Sequence, residues 1–382
     1  MEKLKGSPAS GKASYFQNLD GLRAIAAFCV IFAHLAYWFK YPDNYFFDTL
    51  TFLMSFGGNL GRIGVICFFV LSGFLITYLM FTEETREGKL NVIYFYIRRI
   101  LRIWPLYFLT LFIGFIVYPL ILKAGGHPHH ENASWLMYAV FAANFDHIWN
   151  YFPTSNMLGV QWSVAVEEQF YLVWPLLFVL LNKKKIFPWL LGFIILCSET
   201  YSIRTGSHIA AGDYHFLSCI RYLSYGALLA WWSFHKKELL AAILNKIKKP
   251  AVILIYLSCI GIMMLQNYIT LHFPGYIYLY HLAPVLFSMY IIAEQNFSEN
   301  SFFRLGNFKT LSWLGRISYG LYLTHMIAIN IILAVMPPDR QFSLLGAIAA
   351  LLLCISISYL SYTYFESYFL SLKKKFSFVE KR

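Results

Sequence analysis

The sequence predicts an all-α fold: a polytopic membrane bundle of about ten transmembrane helices with both termini in the cytoplasm. Three observations carry this. The 382 residues are 59% hydrophobic and only 13% charged, whereas soluble domains carry about 25% charged residues. Apolar runs of bilayer-spanning length recur along the whole chain. The basic residues fall in short clusters between those runs, which is the topology signal of a membrane protein. That clustering accounts for the net charge of +12 and excludes nucleic acid as a partner.

Taken in order, residues 1–18 are polar and basic with no apolar h-region, so they read as a cytoplasmic tail and not as a cleavable signal peptide. A membrane domain over 19–366 follows, with spans near 22–39, 60–81, 104–122, 169–182, 187–203, 217–233, 251–267, 276–293, 317–336 and 343–365. Residues 367–382 form a basic cytoplasmic tail. The apolar stretch 134–145 is shorter, and charge decides its role. With ten crossings and the N-terminus inside, all but six of the 31 Lys and Arg residues lie on the inner side. An eleventh crossing at 134–145 would carry the cluster Lys183 to Lys185, and every later loop, to the outside. The stretch is therefore expected to be a re-entrant or surface helix in an outer loop, about 123–168. No internal repeat, linker or soluble domain is visible.

The six cysteines (Cys29, Cys67, Cys197, Cys219, Cys259, Cys354) lack CxxC spacing and read as small hydrophobes, not as a disulfide framework or zinc site. The "HPHH" of 127–130 offers imidazoles without carboxylate or thiolate ligands at set spacing, and no metal is expected there.

The first span, "LDGLRAIAAFCVIFAHL" (19–35), carries Asp20, Arg23 and His34. Ionisable groups in hydrocarbon cost about 2.5–3.5 kcal/mol each on insertion scales and point to function. Eleven residues make about three helical turns, so Arg23 and His34 share one face roughly 16–17 Å apart. Ala26, Ala27 and Val30 leave that face open to a neighbour or a ligand. Asp20 lies one turn before Arg23, as a local partner. A lone histidine could equally be a hydrogen-bonded core residue; alignment with an arginine over small side chains favours a functional one.

These residues resemble the opening motif of the membrane acyltransferase-3 family, which contains bacterial O-antigen and peptidoglycan O-acetyltransferases. That motif is a basic residue, ten intervening residues and a histidine, matched by Arg23 and His34. "GVICFFVLSGFLI" (64–76) is similar to the family's second-helix signature. "RRILR" (98–102) contains its RxxR pair, Arg99 and Arg102. "WSVAVEEQFYLVWP" (162–175) places Glu167 at the family's glutamate, and "ISYGLYLTH" (317–325) ends in His325. Many members carry a further esterase-like domain at the C-terminus. This chain stops soon after its last span, which leaves the acceptor less constrained.

The resemblance implies an acyl-CoA donor, usually acetyl-CoA, as substrate and no permanently bound cofactor. Arg23, Arg99 and Arg102 are its donor-site residues. Taken alone, Arg98, Arg99 and Arg102 are ordinary positive-inside charges. They are expected at the start of a helix, where free N–H groups and the dipole also favour anions, and guanidinium forks suit phosphate. His34 is expected as the general base, its unperturbed pKa lying near neutrality, with a covalent acyl intermediate as a second route. Glu167 and Glu168 are expected to begin a helix at the outer face, either as first-turn acids or with Glu167 meeting His34. His325 shares a face with Ser318 and Tyr322 and is the second candidate histidine. Ser72-Gly73 reads as a close helix approach and not as a serine nucleophile. The 28 Tyr and 10 Trp partly form interfacial belts, and outer ones can stack on sugar rings.

The resulting expectation is a bacterial inner-membrane O-acyltransferase. It moves acetyl, or another short acyl group, onto a hydroxyl of an extracytoplasmic or lipid-linked saccharide. Its partners are acyl-CoA, a saccharide or glycolipid acceptor and membrane lipid, with homo-oligomerisation left open. The alternatives are a transporter or flippase, or the same transfer onto a small-molecule acceptor.

Overall fold

The structure, a computed structural model, describes residues 16–38, 45–127, 130–150, 152–181, 186–205, 209–272, 277–336 and 344–377. The N-terminal tail up to residue 15, the lysines at 183–185 and His129 lie outside the described residues.

The first part of the bundle is α1 (Gln17–Trp38), α2 (Tyr45–Glu87), α3 (Val92–Phe112), a π-helical turn (Ile113–Val117) and α4 (Tyr118–Ala124). Two short helices follow, α5 (Trp135–Ala139) and α6 (Ala143–Trp149), then α7 (Gln161–Leu181), α8 (Phe187–Thr205), α9 (Ile209–Tyr214) and α10 (Phe216–His235). The remainder is α11 (Lys237–Asn245), α12 (Lys249–His272), α13 (Ile277–Phe297), α14 (Lys309–Arg316), α15 (Ser318–Val335) and α16 (Leu344–Leu360). A second π-helical turn (Ser361–Glu366) leads into α17 (Ser367–Lys373). Among the described residues there is no strand.

Each expected span lies largely on helix, 104–122 running through α3, the first π-helical turn and α4, and 343–365 through α16 and the second π-helical turn. Among the described residues, six stretches are long and apolar enough to cross a bilayer: Gln17–Trp38, Leu60–Glu87, Val92–Ala124, Asn156–Leu181, Ser318–Val335 and Leu344–Phe376. A seventh candidate is the pair Lys237–Asn245 and Lys249–Leu265, bent by 93°. Others are more polar than the sequence reading assumed. Helix α10 buries Arg221 with Ser218, Ser224 and Ser233, and Arg221 reaches Glu199 of α8 at 3.3 Å. The chain is a multi-pass helical membrane protein.

Close helix contact follows from small residues, since hydrocarbon supplies no hydrophobic drive between helices. A Cβ on Gly73 would lie 1.9 Å from the Leu223 carbonyl oxygen, and one on Gly226 would lie 2.0 Å from that of Val70. Only glycine at both positions lets α2 and α10 touch backbone to backbone.

The 134–145 stretch is too short to cross. Helix α5 has 5 residues and α6 has 7, whereas a span needs about 20. Between them Phe141 has φ +57°, a left-handed conformation that a bulky side chain adopts only when held there. Its ring stacks on Tyr107 at 4.5 Å, and Gln169 Nε2 donates to its carbonyl at 2.7 Å. The rest of the loop is gathered on Glu131, whose carboxylate accepts from the backbone N–H groups of Ala133, Thr154 and Ser155 at 3.1, 2.8 and 2.9 Å.

Candidate active site

Two neighbouring cavities sit among α1, α2, α3, α7 and α15. The first, about 130 Å³, is lined by Arg23, Ser72, Arg99, Arg102, Glu167 and Tyr171 among others. The second, about 350 Å³, is lined by His34 with Tyr37, Arg62, Trp162, Asp213 and Tyr214. Val65, Phe69 and Tyr322 line both, so the cavities meet at a shared wall.

In the first cavity the Arg23 guanidinium donates to Asp20 at 2.8 Å, the local pairing their spacing predicts. Arg99 lies over the rings of Phe95 and Tyr171, 5.5 and 5.6 Å from their centroids. Those two faces fix the guanidinium and satisfy none of its N–H donors. Its Nε is buried without a hydrogen-bond partner. A buried donor left so favours an incoming acceptor.

The arginines are not at a helix start. Asn91 caps α3, its side chain accepting from Tyr94 N at 3.0 Å, so Arg99 and Arg102 lie about two and three turns further in. The helix N-terminus is therefore no part of this cavity, and the side chains alone supply its charge. Arg98 has a different fate: it is buried in an ion pair with Glu83 at 2.5 Å.

Glu167 departs from expectation in the same way. Helix α7 begins at Gln161, a buried side chain bonded to Thr110 at 2.8 Å. Glu167 thus stands in the second turn and not at the outer end. Its carboxylate accepts from Ser72 Oγ at 2.9 Å and from Tyr171 OH at 2.8 Å. It belongs to the basic cavity and does not meet His34. Glu168, one residue on, points away and accepts from Trp104 Nε1 at 2.9 Å.

The partner of His34 is His325. Its Nε2 lies 3.0 Å from His34 Nδ1, and its Nδ1 lies 2.6 Å from the Tyr322 carbonyl oxygen. A carbonyl only accepts, so His325 Nδ1 carries the proton and the neutral ring offers a lone pair at Nε2. His34 Nδ1–H then donates to that lone pair and to the Val30 carbonyl at 3.1 Å. This assigns His34 the tautomer whose Nε2 holds the free lone pair, and the residue lines the larger cavity.

Three participants escape a sequence reading. Tyr171 sits one turn after Glu167, a signal present in the motif but easily passed over among aromatics. Arg62 and Asp213 come from distant segments: burial pushes the Asp213 carboxyl up, and Arg62 and Arg221 pull it back.

A charged cavity and a histidine cavity thus lie against each other inside the helical membrane bundle. The family model described as "Acyltransferase domain" (acyltransferase 3) matches residues 16–363. This chain belongs to the acyltransferase-3 family. It is similar to "Peptidoglycan O-acetyltransferase OatA" of Listeria monocytogenes, 27% identical over 377 residues, covering 92% of this chain and 55% of that protein. It is likewise similar to "Putative O-acetyltransferase SACOL0978" of Staphylococcus aureus, at 28% over 398 residues, covering 97% and 59%. A third is "Putative peptidoglycan O-acetyltransferase YrhL" of Bacillus subtilis, at 27% over 331 residues, covering 81% and 48%. The chain spans about half the length of these curated relatives. No solved structure matches it.

Proposed function

We propose that this chain is an O-acyltransferase of the bacterial cytoplasmic membrane. It takes acetyl or another short acyl group from cytoplasmic acyl-CoA and transfers it to a hydroxyl of an extracytoplasmic or lipid-linked saccharide. The observation that carries this reading is the shared wall between the basic cavity and the histidine cavity. Arg23 and His34 are separated by about 16.5 Å of helix rise. A donor bridging them must keep its phosphates far from its reactive carbonyl, as a thioester on a pantetheine arm does. The likeness to relatives named as peptidoglycan O-acetyltransferases favours a cell-surface saccharide as acceptor.

In this reading Arg23, Arg99 and Arg102 hold the donor phosphates. Glu167 fixes Tyr171, one of the two rings that orient Arg99. The acceptor lies in the larger cavity, where Trp162, Tyr214 and Tyr37 offer faces to a sugar ring and Arg62 and Asp213 offer hydrogen bonds. The acceptor hydroxyl gives its proton to His34 Nε2 as its oxygen attacks the thioester carbonyl. The carbon–sulfur bond breaks, the ester forms, and the imidazolium returns its proton to the thiolate. His325 is a positioning residue: its Nε2 lone pair holds the His34 tautomer and stabilises the imidazolium.

Ten crossings with both termini cytoplasmic would place the two cavities toward opposite faces. Single cysteines at 152 and 374 in a cysteine-free background should then label from opposite sides. The activity itself is tested with purified protein, acetyl-CoA and a β-linked N-acetylglucosamine oligosaccharide, read by mass spectrometry. Acetyl ester on the sugar in wild type but not in His34→Ala supports the proposal. Intact acetyl-CoA across a panel of saccharides overturns it.

A further inference from the structure

The run Lys373 to Lys375 reads by composition as a solvated tail. The fold gives it another role. The π-helical turn Ser361–Glu366 leads into α17, which packs along α3. The Phe376 carbonyl then accepts from Arg98 at 2.9 Å, and its ring meets Tyr94 edge-on at 5.4 Å. This docking turns Lys373 inward, into a cavity of about 120 Å³ that it lines with Glu83, Arg98, Arg99 and Ser377.

The charges in that cavity are unbalanced. Glu83 is already committed, to Arg98 and to the backbone N–H of Asn91 at 3.1 Å. Glu366 stands opposite Arg102 and bonds Ser361. Lys373 itself lies in the field of Arg102, Arg99, Arg23 and Arg98, all of one sign. Gathering like charges away from water costs free energy unless an anion joins them. Arg99 lines both this cavity and the basic donor cavity, so the two adjoin through one guanidinium. On its other side, a cavity of about 400 Å³ shares Glu83, Arg98 and Ser377 and adds Glu87, Lys89 and Lys375. Basic side chains therefore continue from the donor cavity into this one, with the carboxylates of Glu83 and Glu87 among them.

We infer that Lys373, together with Arg99, forms a second phosphate subsite. It takes the phosphomonoester of the donor that lies furthest from the thioester. The inference rests on the acyl-CoA reading above, and it assigns the C-terminal segment a part in choosing a phosphorylated coenzyme over a truncated one. The shared chemistry is a phosphate dianion, for which a membrane lipid headgroup is the competing source.

The test compares acetyl-CoA with acetyl-3′-dephospho-CoA as donors for wild type, Lys373→Met and Lys373→Arg in phosphatidylcholine nanodiscs. Wild type should show a KM about ten- to a hundredfold lower for the phosphorylated donor, the scale of a charge-assisted hydrogen bond. Lys373→Met should raise KM for acetyl-CoA to near the dephospho value while leaving the dephospho KM almost unchanged. Lys373→Arg should keep most of the discrimination. Unfolding or loosened packing raises both KM values together and leaves the ratio intact, and that result overturns the subsite. Discrimination that vanishes when phosphatidic acid is added, with equal loss of lipid response in Lys373→Met, assigns the lysine to lipid and also overturns it. Should wild type consume neither coenzyme, the donor reading itself falls, an outcome distinct from an unchanged ratio.

Discussion

Replacing His325 by asparagine isolates one hydrogen bond of the histidine pair. Asparagine is shorter and withdraws the acceptor that stands 3.0 Å from His34 Nδ1. The Val30 carbonyl, at 3.1 Å, remains to hold the Nδ1–H tautomer. Only the part of the lost bond that strengthens in the transition state affects the rate. A neutral hydrogen bond is worth about 0.5–1.5 kcal/mol and one to a charged group about 1.5–3. The difference, about 1–1.5 kcal/mol, corresponds to roughly a five- to twelvefold fall in kcat. KM for acetyl-CoA should not change, since the pair lies outside the donor cavity. His34→Ala should fall by about a hundredfold or more, the scale of a general base. The assay is steady-state transfer from acetyl-CoA, with both variants first shown to elute as single species in detergent. Equal damage from the two substitutions would refute the reasoning, because His325 would then be a base in its own right. A raised KM with unchanged kcat would refute it differently, by moving the pair into the donor site.

Arg99→Ala should raise KM for acetyl-CoA by about ten- to a hundredfold with a smaller effect on kcat, because a phosphate contact is made in ground and transition states alike. Arg99→Lys should recover part of that loss, since it restores charge without the planar fork held between Phe95 and Tyr171. Glu167→Gln should raise the same KM by about tenfold, the scale of a hydrogen bond to a charged group. An amide cannot accept equally from Ser72 and Tyr171 on its two arms. Glu168→Gln should do little, because its bond from Trp104 survives on the amide oxygen; equal effects would show that the α7 acids are not distinguished by their partners. In the loop between α4 and α7, burial pushes the Glu131 carboxyl up, but hydrogen bonds from Ser155, Ala133 and Thr154 outweigh it and hold it below its ordinary value. A depressed carboxyl contributes stability that is present above its unfolded pKa and lost as pH falls through the folded one. Protection of the Thr154 and Ser155 amides in hydrogen exchange should therefore weaken below the usual glutamate range in wild type. In Glu131→Gln it should already be weak at neutral pH, and a pH-independent difference from wild type of zero would remove the loop staple.

Much of this architecture was legible because its signals are local. Apolar runs mark the helices, and the i to i+3 spacing of Asp20 and Arg23 forecasts their ion pair. The limits were set by distance and by polarity inside the bundle. The His34–His325 bond joins residues 291 positions apart, so each histidine was visible and their pairing was not. The sequence reading starts α7 at its first charged residues, Glu167 and Glu168. In the structure Gln161 buries its amide on Thr110 and the helix begins there. The same reasoning places Arg99 and Arg102 at the start of α3, whose true start is the Asn91 cap. The place of Lys373 in a cavity depends on α17 packing along α3, a contact between distant segments that no local pattern shows.

The central claim is that donor and acceptor meet across the bundle, through cavities that share Val65, Phe69 and Tyr322. It is tested most directly in proteoliposomes, with labelled acetyl-CoA supplied on one side and the saccharide confined to the other. The account predicts labelled O-acetyl ester on the far side, dependent on His34 and on Arg99, with free coenzyme remaining on the donor side. Labelled acetyl-CoA carried intact across the membrane, or transfer only when both substrates share one side, would contradict it.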